Sequence, residues 1–217
     1  MAVNGSYKDA PTRTVSVGGV DFAYRELGPK AGVPVIFLVH LVGNLDNWDP
    51  RVVDGIAALH RVITFDNCGV GASTDKTPDT IQAMAKDAVT FIRALGFDQV
   101  DLHGFSMGGM IAQVIARDEP ELVRKLILTG TGPAGGKGMK EVVWVAQLDT
   151  LRDLSLIRHP VLLANGDNDR MLPTPNTLDM ARRVPNNELV IYPDAGHGGI
   201  FQFHEQFVEK ALEFLAN

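Results

Sequence analysis

Several things are scarce in this chain, and each scarcity excludes something. Among 217 residues there is one cysteine, Cys68. A single thiol permits no internal disulfide, which fits a reducing compartment. Aromatic residues make up only 7%. The longest apolar run, VPVIFLVHLV over 33–42, falls well short of the ~20 residues that span a bilayer. Positive charge is in deficit too: 20 Lys and Arg against 26 Asp and Glu give a formal net charge of −6. That leaves no basic surface for a phosphate backbone. The first residues, MAVNGSYKDAPTRT, lack the apolar centre of a secretion signal. The expectation is a cytoplasmic protein whose partner is a small molecule, with no nucleic acid and no membrane span.

What is present reads as an ordinary globular chain. Hydrophobic residues at 45% and charged residues at 21% suit one packed core, and the length suits a single domain over 1–217. Short β-rich runs recur at TVSVGG (14–19), VDFAYREL (20–27), VPVIFLVH (33–40), RVITFD (61–66), VDLHGF (100–105), KLILTG (125–130), PVLLANG (160–166) and ELVIYPD (188–194). Gly18-Gly19 marks a hairpin between the first two. The later runs are apolar nearly throughout, as strands covered on both faces must be. Helical spacing links them: Ile81, Met84, Ala85, Ala88, Ile92 and Leu95 share a face over 79–95, with Asp79 and Gln82 as the cap pattern and Gly96 as the stop. Phe203, Phe207, Ala211 and Leu215 repeat the theme at the end of the chain. Strands alternating with helices predict an α/β fold with a mostly parallel sheet covered on both sides.

In such a sheet, ligands sit at the carboxyl ends of the strands, so the reactive residues that follow strands matter most. Ser106 follows VDLHGF and opens the helix MGGMIAQVIAR. Glycines on both sides permit a sharp turn that pushes its hydroxyl outward, and the helix aims its first amides at the same point. A tight glycine turn with Ser106 as a helix cap is the plain alternative.

A serine hydroxyl needs a base to attack anything. Of six histidines, His40 and His103 end strands near the site, His60 precedes a strand, His159 precedes Pro160, and His204 lies on the polar side of the last helix. His197 stands in YPDAGHGGIF, a glycine-rich loop after the final strand, and is the candidate base. The base needs an acid to hold its tautomer. GDNDRMLP offers Asp167 and Asp169 beyond a strand; Asp169 is the candidate, with Asp167 ordering the turn. The candidate oxyanion donors are the amides of Met107 and Val42. His40 braces the loop. No clustering of His, Cys and Asp predicts a metal, and no cofactor is expected.

Taken together, HLVGNLDNW (40–48), FDNCGVGAS (65–73), GFSMGG (104–109), GDNDRMLP (166–173) and DAGHGG (194–199) resemble the α/β-hydrolase family from about residue 14 onward. The resemblance implies an eight-stranded sheet with the second strand antiparallel, and the order nucleophile Ser106, acid Asp169, base His197. It implies carboxylic ester hydrolysis through an acyl-enzyme. Serine at 106 points away from the dehalogenase and epoxide hydrolase relatives, which carry aspartate there.

Three departures stand out. Leu41 follows His40 where relatives often have glycine, and Cys68 stands where they often have arginine. Only TGPAGGKGMKEVVWVAQLDTLRDLSLIRH separates KLILTG from PVLLANG, so the cap domain is absent or minimal, with one helix expected over Val142, Val143, Trp144, Leu148 and Leu151. Such a chain is a natural minimal enzyme or one whose cap has been removed. The expected substrates are small activated esters turned over with low selectivity. Uncovered apolar surface around Trp144 and Met110 would favour self-association. The alternatives on the same residues are a cofactor-free haloperoxidase or perhydrolase, a lactonase, or a non-catalytic core.

Overall fold

The computed structural model describes residues 5–133 and 153–217. The first two strands, β1 (Arg13–Val17) and β2 (Val20–Leu27), form the expected hairpin, antiparallel with Val17 opposite Val20. Gly18 and Gly19 both have positive φ, 61° and 87°, as the turn requires. The buried strands are β3 (Val35–Leu38), β4 (Val62–Phe65), β5 (Val100–Phe105), β6 (Val123–Thr129) and β7 (Val161–Gly166), and β8 (Asn187–Tyr192) closes the edge. They form one eight-stranded sheet in the order β1-β2-β4-β3-β5-β6-β7-β8. Only β2 runs against both of its neighbours. The chain is thus an α/β protein with a mostly parallel sheet.

The period-2 pleat sorts the apolar strands into two cores. Ile36, Leu38, Leu102, Leu126, Leu128 and Leu163 face one side, where they meet α2 (Ile81–Ala94), α3 (Met107–Asp118) and α4 (Thr174–Arg183). Val35, Phe37, Ile127, Leu162 and Ala164 face the other, against α1 (Pro50–Ala57) and α6 (His204–Ala216), with the short α5 (Gly199–Gln202) before it. Strands buried on both faces need no polar alternation, which is why they read as continuous apolar runs. Each fully buried Leu, Ile or Phe contributes about 1.5–3 kcal/mol of transfer free energy.

Two local expectations shift. The cap of α2 is Thr80, whose side chain accepts from the Ala83 amide, rather than Asp79. Gly96 ends that helix with φ 81° as expected. Met110, expected near uncovered surface, is carried by α3 and fully buried in the core. It contributes nothing to an exposed patch, because residues 107–116 of α3 are buried between α2 and the sheet strands β3, β5 and β6. Residues 130–160 alone connect β6 to β7, so the cap is absent or minimal. The helix expected around Val142, Val143, Trp144, Leu148 and Leu151 lies outside the described residues.

Candidate active site

Ser106 sits between the last residue of β5 and the first of α3 with φ 57° and ψ −120°. That combination is nearly closed to L-residues and persists only where the surroundings impose it. They do so here. The Ser106 amide donates to the Thr129 carbonyl at 2.9 Å, and its own carbonyl accepts from the Gly109 amide (2.9 Å) and from Thr131 Oγ1 (2.8 Å). Close packing of strand on helix completes the constraint. A Cβ on Gly104 would lie 2.6 Å from the backbone of Gly108 and Gly109, and one on Gly108 would land on the Leu38 carbonyl, 2.5 Å from its carbon. The Ser106 side chain makes no capping bond to α3. The plain reading of a helix cap therefore has no hydrogen bond behind it.

The loop after β7 carries two acids with different surroundings. Asp169 is buried, and its side chain is fully inaccessible. Its Oδ1 accepts from the amides of Met171 (2.8 Å) and Leu172 (2.9 Å), and its Oδ2 lies 2.8 Å from His197 Nδ1. A carboxylate in this place accepts from Nδ1, and with the ring neutral that tautomer leaves the Nε2 lone pair free. Asp167 instead orders the turn: its Oδ1 accepts from the Ala195 amide at 3.3 Å and its own amide donates to the Tyr192 carbonyl. The Asn168 amide adds a 2.9 Å bond to the Ala195 carbonyl, so the acid loop and the histidine loop are laced together.

The His197 ring packs against Phe105, with centroids 5.0 Å apart, which brings it beside the serine turn. Among the described residues no hydrogen bond joins Ser106 Oγ to His197. Hydrogen bonds between a nucleophile and its base often tighten only when a substrate is bound.

The loop after β3 holds Val42 at φ 57°, an uncommon conformation for a β-branched residue, with 90% of the residue exposed. Neither the Val42 amide nor the Met107 amide has an acceptor among the described residues. His40 braces this loop, Nδ1 lying 2.8 Å from the Leu41 carbonyl while its own carbonyl accepts from Gly43. Sequence reasoning missed a second brace. The Leu45 amide donates to Asp66 Oδ1 (2.7 Å), and the Tyr7 hydroxyl donates to the Leu45 carbonyl. Asp66 lay within a quoted motif, but Tyr7 lies 38 residues from its partner and carried no local signal.

His103, expected at a strand end near the site, lies within β5 and is turned into the core between Phe37, Trp48 and Phe207. Its Nε2 meets Thr129 Oγ1 at 3.2 Å and its Nδ1 has no partner among the described residues. Burial pushes its pKa down from 6.5 to about 3. An unfolded chain therefore takes up a proton below 6.5 that the folded chain refuses until about 3. In that window the unfolded state holds more protons, and stability falls as pH falls, by at most about 1.4 kcal/mol per pH unit. His103→Gln is expected to flatten this slope, which denaturant melts at pH 4, 5, 6 and 7 would measure. A slope equal to that of the unaltered protein would contradict it. Cys68 is buried, and desolvation, with Asp87 next to it, pushes its thiol up to about 12, which makes it an inert core residue.

At the carboxyl edge of a mostly parallel sheet, a strained serine turn thus follows Phe105, and a His–Asp pair packs on that same Phe105. The alpha/beta hydrolase fold family model matches residues 33–151, and the chain belongs to that family. "Putative carbamate hydrolase RutD" of Azorhizobium caulinodans is 30% identical over 80% of this chain and 60% of its own length. "Putative non-heme bromoperoxidase BpoC" of Mycobacterium tuberculosis is 36% identical over 52% of this chain and 42% of its own. The chain thus spans about half the length of these curated relatives. A solved alpha/beta hydrolase fold protein from Chitinophaga pinensis superposes with a TM-score of 0.90, at 30% identity, over 97% of this chain and 99% of that one.

Proposed function

We propose that this chain, acting as one domain, hydrolyses carboxylic esters through an acyl-enzyme. The observation that carries the reading is the strained Ser106 turn beside a histidine oriented by the buried Asp169 carboxylate. His197 Nε2 removes the Ser106 proton as Oγ bonds to the ester carbonyl carbon. The oxyanion is held by the amides of Val42 and Met107, aided by the N-terminus of α3. The carbonyl then re-forms as the bond to the alcohol breaks, and the imidazolium gives its proton to the departing alkoxide. Water, deprotonated by the same histidine, attacks the acyl carbon and releases the acid and Ser106.

Residues 130–160 alone lie between β6 and β7, too short a segment for a large cap domain over the acyl and alcohol groups. The substrates of choice are accordingly small, activated esters, distinguished weakly from one another. RutD is named as a carbamate hydrolase, and carbamate hydrolysis likewise involves attack at an acyl carbonyl. The likeness to a chain named as a bromoperoxidase favours a second outcome on the same acyl-enzyme, in which hydrogen peroxide replaces water and a peracid leaves.

Intact-mass analysis after fluorophosphonate treatment tests the reading. The expected result is one adduct on the unaltered protein and none on Ser106→Ala. An unlabelled parent protein, or equal labelling of both, would sink the proposal and leave a non-catalytic core.

A further inference from the structure

Past the end of the sheet ladder, the nucleophile turn and the acid loop are no longer held together by strand pairing. The last bond between β6 and β7 runs from the Gly130 amide to the Ala164 carbonyl. Beyond it, a chain of buried side chains continues the connection. Thr131 Oγ1 donates to the Ser106 carbonyl (2.8 Å), and the Thr131 carbonyl accepts from Thr177 Oγ1 (2.9 Å). Thr177 Oγ1 accepts in turn from Asn165 Nδ2 (2.9 Å), which also reaches the Leu172 carbonyl at 3.4 Å. The Leu172 amide donates to Asp169 Oδ1. Thr131, Thr177 and Asn165 are each 1% exposed, so none of these bonds competes with water.

We infer that Thr177 is a positioning residue that ties the Ser106 turn to the Asp169 loop, setting the reach of His197 toward the serine. The inference rests on the acyl-transfer reading above. Thr177 is the only member of the chain carried by α4, and its hydroxyl is used in both directions, as donor to the Thr131 carbonyl after β6 and acceptor from Asn165 near the end of β7, just before the acid loop. Docking of α4 does not depend on that hydroxyl. Met180 fills the core from the same helix, and Thr174 Oγ1 donates to the Gly166 carbonyl at 2.7 Å. Removing the Thr177 hydroxyl would leave α4 in place while depriving the Thr131 carbonyl and Asn165 Nδ2 of their shared partner. The loops could then shift independently, and small displacements of reacting groups are costly in rate.

The test compares Thr177→Val, which keeps the shape and removes the hydroxyl, with Thr177→Ser, which keeps the hydroxyl. With p-nitrophenyl acetate, Thr177→Val is expected to lower kcat about tenfold with KM changed less than about twofold. Its fluorophosphonate inactivation constant should fall in proportion, and Thr177→Ser should recover most of both. Amide hydrogen exchange at Met171 and Leu172, read by NMR, should be faster in Thr177→Val and near the parent rate in Thr177→Ser. A lower Tm with kcat unchanged, or a rise confined to KM, would make Thr177 a packing residue and overturn the inference. If the parent protein takes no fluorophosphonate label, the acyl-transfer reading fails and the catalytic meaning of the tie fails with it. The exchange data still decide the tie itself, since unchanged exchange at Met171 and Leu172 would refute it in either case.

Discussion

Replacing Asp169 with asparagine is expected to lower kcat for a short-chain nitrophenyl ester about ten-thousand-fold while leaving the fold intact. The local geometry dictates the direction. Two backbone amides, from Met171 and Leu172, donate to Oδ1, so an asparagine must turn its oxygen to that side. The reverse orientation would set an NH2 against two N–H donors. The amide nitrogen then faces His197 Nδ1, which lies 2.8 Å from the position of Oδ2. There it donates, and Nδ1 has to accept. The proton moves to Nε2, the atom that must be free to take the Ser106 proton, and the base is lost in the wrong tautomer. Hydrogen-bond count is preserved, so Tm should change by no more than a few degrees. Steady-state kinetics and a thermal melt of the same preparation check both halves. A loss below about tenfold would mean that Asp169 does not orient the base.

Gly108→Ala is expected to destabilise the chain by roughly 3 kcal/mol, an expected drop of about 6–12 °C in Tm. The added methyl would fall on the Leu38 carbonyl of β3 and lie 2.9 Å from the Val39 carbonyl oxygen. Both are backbone atoms, at the end of β3 and just beyond it, and cannot swing aside as a side chain would. The helix must back away instead, and α3 carries the Met107 amide on its first residue. Esterase activity should therefore fall in whatever fraction remains folded, through kcat more than through KM. Differential scanning calorimetry and kinetics well below the midpoint would show this. A Tm within about 2 °C of the parent would mean that α3 packs more loosely on β3 than these distances indicate.

These two positions show how differently parts of the site were written. The strand runs, the hairpin at Gly18-Gly19, the parallel sheet and the glycine-flanked serine between a strand and a helix could all be read from the chain. Each depends on interactions within a few residues: apolar runs that suit burial on both faces, turns that need positive φ, and a strand-to-helix corner that needs glycine. Even there, local reading had limits. It named Asp79 as the cap of α2, yet Thr80 makes the bond, because side-chain reach to the Ala83 amide decides between adjacent residues. The polar helix α4 was not foreseen. Only four of its ten residues are buried, which leaves a weak apolar stripe.

Tertiary structure alone decided what each polar group faces. Asp167 and Asp169 are two residues apart in one loop, and the turn buries one beneath His197 while leaving the other to hold Ala195. His103 sits three residues before Ser106, and the alternation of β5 turns it into the core between Phe37 and Phe207. Tyr7, Thr131 and Thr177 meet their partners across 38, 25 and 46 residues of chain. By itself, then, the sequence determined the strands, the strongly amphipathic helices and the serine corner, because propensity and burial period act locally. Which donors meet which acceptors at the carboxyl edge of the sheet was decided only by folding, because a long-range hydrogen bond leaves no trace in residue spacing until the sheet brings its two ends together.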